Sequence, residues 1–347
     1  MPVYVTPDQL ADFVKSTLKD YDKKQYVNLS FSQQNYPYAK RVLDGKRIGK
    51  DGGEKLNWKL KTGSDRNVRM SGMFATDNLS AGDVFTQAEV EWKKVTYGWC
   101  YDEDEKEFNS SDRLQIIDYI LAREQGSEQD FAEFIEESGW TTPASSTANQ
   151  FLSIPYYLVK PTAGQEGQLG TAPSGHTTVA GVNPSIVTSW KSYVADYDAY
   201  SQEDLIEKWI KANEMTKFMA PVTTPELRAG PDNYAYYTTY AVWAAMRFLL
   251  RAQNDNLGKD VAAGRGAEFY GRPIEWVSYL TNNDTQNPIY GVNWGQFQVF
   301  AKTGRWRVST GPIRNKDGHS MWEVYRDSWM NLRCLNRREA GYCLAAV

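Results

Sequence analysis

Residues Asn287–Ala345 read NPIYGVNWGQFQVFAKTGRWRVSTGPIRNKDGHSMWEVYRDSWMNLRCLNRREAGYCLA. Strand-like pieces cover Pro288–Phe300, Arg305–Ile313 and Ser320–Cys343. The stretch is dense in tryptophan and arginine and nearly empty of the side chains that perform catalysis. A segment of this kind builds surfaces that hold other surfaces.

Working upstream, another strand-like piece spans Phe269–Leu280, preceded by a largely buried helix over about Asn233–Gln253. Ser201 opens a further helix through Phe218, with Asp204 three residues on as a capping-box-like partner and Leu205, Ile206, Trp209 and Ile210 as its apolar face. Residues 141–185 are turn-rich, yet the aromatic knot Phe151–Leu158 calls for burial, so this is an ordered loop region and not a linker. Before it runs a long helix, about Ser111 to Ser138, with an apolar stripe of Leu114, Ile117, Leu121, Phe131, Phe134 and Ile135. Asn109–Ser111 can supply its N-cap and Gly139 its stop, and Gly126 marks a weak point. Such a helix spans about 40 Å.

Two strands precede the helix. In Glu54–Lys61, Leu56, Trp58 and Leu60 alternate with polar residues; in Gln87–Trp99, Ala88, Val90 and Trp92 alternate with Glu89, Glu91 and Lys93. Lysines on the outgoing strand face glutamates on the returning one if the two pair antiparallel. The tip between them, Thr62–Phe85, is rich in Gly, Ser, Asp and Asn and contains Arg66 and Arg69. A ribbon of two strands is not stable alone in water, so it lies against its own domain or against a neighbouring subunit. Residues 1–45 have the character of an arm, with a short helix (Leu10, Phe13, Val14, Leu18) after Thr6–Pro7.

Composition sets the outer limits. A chain of 347 residues buries a substantial core in one to three lobes. The net charge of −4 divides into +5 for residues 245–347 and −9 for the rest, which is no footprint for gripping nucleic acid. The N-terminus has no basic region followed by an apolar core, and the apolar stretch Tyr236–Leu250 is interrupted by Thr238, Thr239 and Arg247, so neither a secretory signal nor a membrane span is expected. Cys100, Cys334 and Cys343 form no CxxC pair and fit reduced, buried thiols; the sequons at Asn28, Asn78, Asn109 and Asn283 are then chance matches.

Catalytic motifs fail one by one. Gly45–Asp51 has the wrong spacing for a phosphate loop and ends in Asp51 where Ser or Thr is required. Gly264–Arg265–Gly266 lacks the third glycine of a dinucleotide site. Only His176 and His319 exist, neither beside a nucleophile-elbow pattern, and the acidic run Asp102–Glu105 lacks the ligand spacing of a calcium loop. No catalytic residue, cofactor or metal is expected. Twelve tryptophans and 22 tyrosines suit a glycan-binding groove or a large subunit interface, and the scarcity of histidine favours the interface.

The ordered series of arm, hairpin, long helix, central lobe and returning strands resembles the major capsid proteins of tailed phages of the Hong Kong 97 type. The segments TSWKSYVADY, SQEDLIEKWIKANEMTKF and FYGRPIEWVSYL–NPIYGVNW carry the resemblance, together with the Leu335–Arg338 run, read as an arginine-containing terminal strand. It implies an α+β fold divided into an N-terminal arm (1–45), an extended loop (46–100), a peripheral domain with a spine helix (101–185), an axial domain (186–300) and returning strands of both domains (301–347). It implies a shell subunit that forms pentamers and hexamers in a virion, assembled in the bacterial cytoplasm. Its partners would be a separate scaffolding protein, a portal, a decoration or cement protein, and enclosed double-stranded DNA held without sequence-specific contacts. Trp58, Arg66, Arg69, Trp92, Arg337 and Arg338 are the candidate subunit-interface residues. An encapsulin shell, a glycan-binding or glycoside-hydrolysing protein, and a tail or decoration protein are the alternatives.

Overall fold

The computed structural model describes residues 32–44, 48–63, 67, 70, 72–73, 81–103, 113–217, 233–254, 267–316 and 320–347. The short helix expected at Leu10–Leu18, the Asn109–Ser111 cap and His319 lie outside the described residues. In chain order the first elements are α1 (Pro37–Leu43), β1 (Ile48–Lys50), β2 (Lys55–Lys61), β3 (Phe85–Glu91), β4 (Lys93–Asp102), α2 (Arg113–Trp140) and the short α3 (Ile154–Tyr157). Next come β5 (Glu166–Gly170), β6 (Ser192–Tyr197), α4 (Glu207–Met215), β7 (Tyr234–Thr238) and α5 (Tyr240–Asn254). The last are β8 (Glu268–Phe269), β9 (Arg272–Trp276), α6 (Ser278–Asn283), β10 (Ile289–Asn293), β11 (Phe297–Lys302), β12 (Val308–Arg314), β13 (Met321–Cys334) and β14 (Gly341–Ala346).

One sheet is organised on β13. Along one edge its residues Met321–Met330 pair antiparallel with β4. Its other edge pairs first with β12 and then, from Met330 to Cys334, with β11, to which β1 adds in parallel. The long helix α2 lies on this sheet. Phe131 stacks on Tyr97 of β4 at 4.4 Å, and Glu128 and Glu124 pair with Arg307 and Arg326 from the β12–β13 region.

The second sheet has seven strands in the order β5-β6-β14-β10-β7-β9-β8. Its middle strands are covered on both faces, which is why they read as nearly unbroken apolar and aromatic runs. The period of two divides them between two cores: Tyr342, Leu344, Ile289, Tyr234 and Tyr236 face one, Cys343, Tyr290, Val292 and Tyr237 the other. In the first core Trp209 of α4 stacks on Phe269 at 4.5 Å and donates its indole N–H to the Tyr342 hydroxyl at 2.6 Å.

Several local expectations are corrected. The returning strand of the hairpin does not run unbroken to Trp99: it stops at Trp92, and Lys93–Asp102 leaves β2 to pair with β13. The helix expected over Asn233–Gln253 begins at Tyr240, because Tyr234–Thr238, made of strand-forming tyrosine and threonine, joins the seven-stranded sheet. Ser320–Cys343 is two strands in two different sheets, and the Leu335–Arg338 run is part of the turn between them, not a terminal strand. Ser201 does cap its helix, accepting from the Asp204 N–H, but the Asp204 carboxylate accepts from Asp198 and Ala199 and pairs with Lys208. Of the α2 stripe, Phe131 and Ile135 are buried whereas Leu121 and Phe134 are exposed.

Gly139 does not stop the helix, which runs one residue further, to Trp140. The glycine makes room for a ring. A Cβ there would meet three ring carbons of Tyr38 at 2.2–2.6 Å, and Tyr38 is fully buried among Trp140, Phe151 and Trp294. Gly139→Ala is therefore expected to destabilise the fold by about 1–3 kcal/mol through overpacking. Gly126→Ala, in the same helix with open space around it, should stabilise by up to about 1 kcal/mol. Urea unfolding of the two variants checks the difference, and equal midpoints would refute the role given to Gly139.

Candidate assembly surfaces

The hairpin β2–β3 is fixed at its root to its own subunit. Leu56, Ala88 and Val90 are buried in the main core. The Glu89 N–H donates to the Ala180 carbonyl at 2.9 Å. Asn331 of β13 donates to the Glu91 carbonyl at 2.6 Å while its Oδ1 accepts from Leu152 N–H at 2.8 Å. The Trp58 ring lies on the Arg333 guanidinium, 5.6 Å away, and the same guanidinium lies 4.3 Å from the Phe300 ring centroid and donates twice to Gln298 Oε1. Burial lowers the Arg333 pKa below its ordinary value, so the aromatic faces and the amide oxygen hold a partly desolvated cation. Trp92 donates to the Gly53 carbonyl at 3.1 Å and, with Trp329 and Lys302, lines a cleft of about 380 Å³ at the root.

Lys55 pairs with Glu89 at 2.9 Å and with Glu91 at 4.0 Å, as opposed charges on the two strands predict. The hydrogen bond to Glu89 raises the Lys55 pKa, but both partners face solvent and the pair adds little to stability. Burial fades along the ribbon. Trp58 and Leu60 are half-buried, Phe85 is 61% exposed, and Met70 and Met73 are bare. Phe85, Met70 and Met73 are thus large apolar side chains left exposed among the described residues of this loop.

Two further surfaces are open. Residues 309–314 of β12 are exposed, and among the described residues no strand pairs with the outer edge of β12. On the seven-stranded lobe, Ile186 and Phe248 stand bare, and beside Phe248 the Arg247 guanidinium lies 4.9 Å from the Trp243 ring.

The candidate interface residues fare differently. Trp58 and Trp92 sit at the hairpin root against their own subunit, and Arg66 and Arg69 lie outside the described residues. Arg337 is fully buried inside the subunit and cannot meet a neighbour, which corrects its reading as an interface residue. Arg338 is half-buried, its N–H donating to Asn336 Oδ1 at 3.1 Å. Sequence reading passed over Arg333. The available signal was its place between Leu332 and Cys334, which puts it on the opposite face of β13 from two core residues.

The aromatic wealth also has a different use from the one expected. Trp140, Trp190, Trp209 and ten tyrosines are buried in the two cores, which removes the support for a glycan-binding groove and for attributing the rings as a class to interfaces. His176 holds a turn, its Nε2 2.7 Å from the Pro143 carbonyl. Cys334 and Cys343 are buried and burial pushes their thiols up; Cys100, also expected to be buried, is exposed on β4.

No protein-family model and no curated protein matches the sequence. Solved structures match along the whole chain. The capsid asymmetric unit of cyanophage A-1(L) superposes with a TM-score of 0.65 at 12% identity, covering 99% of this chain and 98% of that one. The capsid of an empty GTA particle gives 0.59 at 10% identity over 94% and 95%, and the capsid of Myoviridae phage XM1 gives 0.53 at 10% over 93% and 97%. The fold is the α+β fold of tailed-phage capsid proteins, of the Hong Kong 97 type.

Proposed function

We propose that this chain is the major capsid protein of a tailed double-stranded DNA phage, forming the pentamers and hexamers of an icosahedral head. The observation that carries the reading is the end-to-end correspondence with the cyanophage A-1(L) capsid asymmetric unit, 99% of one chain against 98% of the other. The exposed apolar side chains Phe85, Met70 and Met73 supply what a shell subunit needs, an apolar surface left uncovered by the described residues of its own chain. The role is structural and not enzymatic. Many weak contacts per subunit, made together, would give the closed shell its persistence. The matched structures are phage and GTA capsids, which favours a nucleic-acid-filled head over a protein-cargo shell.

A separate scaffolding protein, a portal and a decoration or cement protein complete the proposed partners, with assembly in the bacterial cytoplasm and residence in the virion. The net charge of −4 fits a wall that encloses DNA without reading its sequence. Under the same reading, residues 46–100 are the extended loop, 101–185 the peripheral domain and 186–300 the axial domain. Co-expressed with its neighbouring genes, the protein is expected to sediment as megadalton shells or as pentamers and hexamers, visible by negative-stain microscopy. A protein that stays monomeric at high concentration across several salt and pH conditions overturns the proposal.

A further inference from the structure

Glu136 is a carboxyl group without access to solvent, set between two helices. It projects from the last two turns of α2 toward the start of α1. One oxygen accepts from the Ala39 N–H at 2.7 Å and the other from the Trp140 indole at 2.6 Å. Among the described residues no lysine or arginine forms an ion pair with it. Around it, the neighbouring segment is held to the same helix by further bonds: Ser32 and Tyr36 donate to Glu133, and Gln33 donates to Glu137. Of the contacts between α1 and α2 described here, the one at Glu136 is made by a buried, uncompensated acid.

We propose that Glu136 is a proton-controlled latch between residues 32–44 and the long helix, holding that segment more tightly when its carboxyl group carries a proton. A neutral carboxyl still accepts one N–H fully at its carbonyl oxygen and the other more weakly at its hydroxyl oxygen, while the larger cost of a buried charge disappears. Burial is the dominant influence and lifts the Glu136 pKa to about 7, against the lowering effect of the N–H groups of Ala39, Trp140 and Tyr38. Glu275 of β9 adds to the rise as a second negative charge.

The tyrosines around it keep their protons near neutrality. Tyr38 of α1 is buried, with its hydroxyl pushed far up. Tyr237 of β7 and Tyr290 of β10, which contact the Trp140 ring, are pushed up to about 12 and well above 10 respectively. On α1, Arg41 lies over the Trp294 ring and bonds Tyr237, and Lys40 is exposed.

The sign follows from linkage. The docked state binds the proton more tightly than the undocked one, whose carboxyl titrates at the ordinary value of 4.5. Docking is therefore strongest below about pH 4.5, weakens as the pH rises to about 7, and is constant above. Between pH 6 and pH 8 the docking constant should fall about tenfold.

Hydrogen exchange of backbone amides in 37–44, followed by mass spectrometry and corrected for the intrinsic pH dependence, reads this constant in the full-length protein. Protection should drop about tenfold between pH 6 and 8, while β14 amides stay unchanged. Glu136→Gln cannot titrate, and its NH2 replaces one of the two accepting oxygens, so protection should lie below the acid-side level but stay flat across the range. A flat profile in the unmodified protein, or a Glu136→Gln profile that still falls, overturns the latch. Should Glu136→Gln fail to fold, Glu275→Gln decides: it must move the midpoint to lower pH, and an unmoved midpoint is equally fatal.

Discussion

Arg337→Met should leave little cooperatively folded protein in solution. The Arg337 guanidinium is fully buried, and its three nitrogens donate to three different carbonyls: Nε to Tyr157 at 2.5 Å, one terminal nitrogen to Trp190 at 3.1 Å and the other to Thr171. Burial lowers its pKa to about 10, so it remains charged at neutral pH. The three carbonyls belong to the end of α3, the residue after β5 and the turn before β6, while Arg337 itself sits in the turn between β13 and β14. One side chain thus joins the crossing between the two sheets to three segments distant in sequence.

Methionine replaces much of the volume but none of the donors. Each carbonyl left without a partner costs about 1–3 kcal/mol, and removing the buried charge returns part of that as relief from desolvation. Three unpaired carbonyls less that relief leave a net loss of roughly 2–5 kcal/mol, a large share of the 5–15 kcal/mol typical of a folded domain. Arg337→Lys should recover only a fraction, since an ammonium cannot reproduce the planar fork. Urea unfolding, or recovery in the soluble fraction where the variant cannot be purified, is the measurement. A loss under about 1 kcal/mol would show that the carbonyls find other donors.

Shortening the hairpin should separate folding from assembly. When Gly63–Asp83 is replaced by an Asn–Gly turn, β2 and β3 keep their pairing from Lys55↔Glu91 to Lys61↔Phe85, and the root keeps its contacts with Ala180, Asn331 and Arg333. Secondary structure and solubility should then stay close to those of the full chain. If the proposed assembly holds, closed shells should disappear or become irregular, because the exposed Met70 and Met73 are gone. Circular dichroism and electron microscopy on one preparation test both halves. Normal shells would refute the projecting-loop reading, and a chain that fails to fold would place the tip in its own subunit's core.

Much of this was legible in the sequence where the pattern is local. The two-residue alternation around Leu56 and Val90 identified the hairpin, and the charged partners Lys55 and Glu89 meet as the pairing predicts. The long helix was readable from its length and stripe, although Phe134 proved exposed while Glu136, a charged residue by type, proved buried. What escaped was everything fixed by non-local pairing. Nothing in the run from Met321 to Cys343 announces that its two halves enter different sheets. An arginine that serves as an internal donor looks, in sequence, like one at a surface, because only the fold decides whether Arg337 meets water or three carbonyls. Tyr234–Thr238 could be taken for the start of a helix because one short aromatic run fits either period.

The position of β13 has a consequence in time. Strand β4 is complete at Asp102, but the partner that pairs with it, from Met321 to Met330, lies more than two hundred residues further along the chain. At a ribosomal rate of roughly 5–20 residues per second, β4 waits on the order of 10–45 s with an unsatisfied edge. For most of that interval Tyr97 lacks Arg307, and throughout it Trp99 lacks Arg326. Slowing translation between β4 and β13 should lengthen the dangerous interval and raise the fraction of protein lost to aggregation.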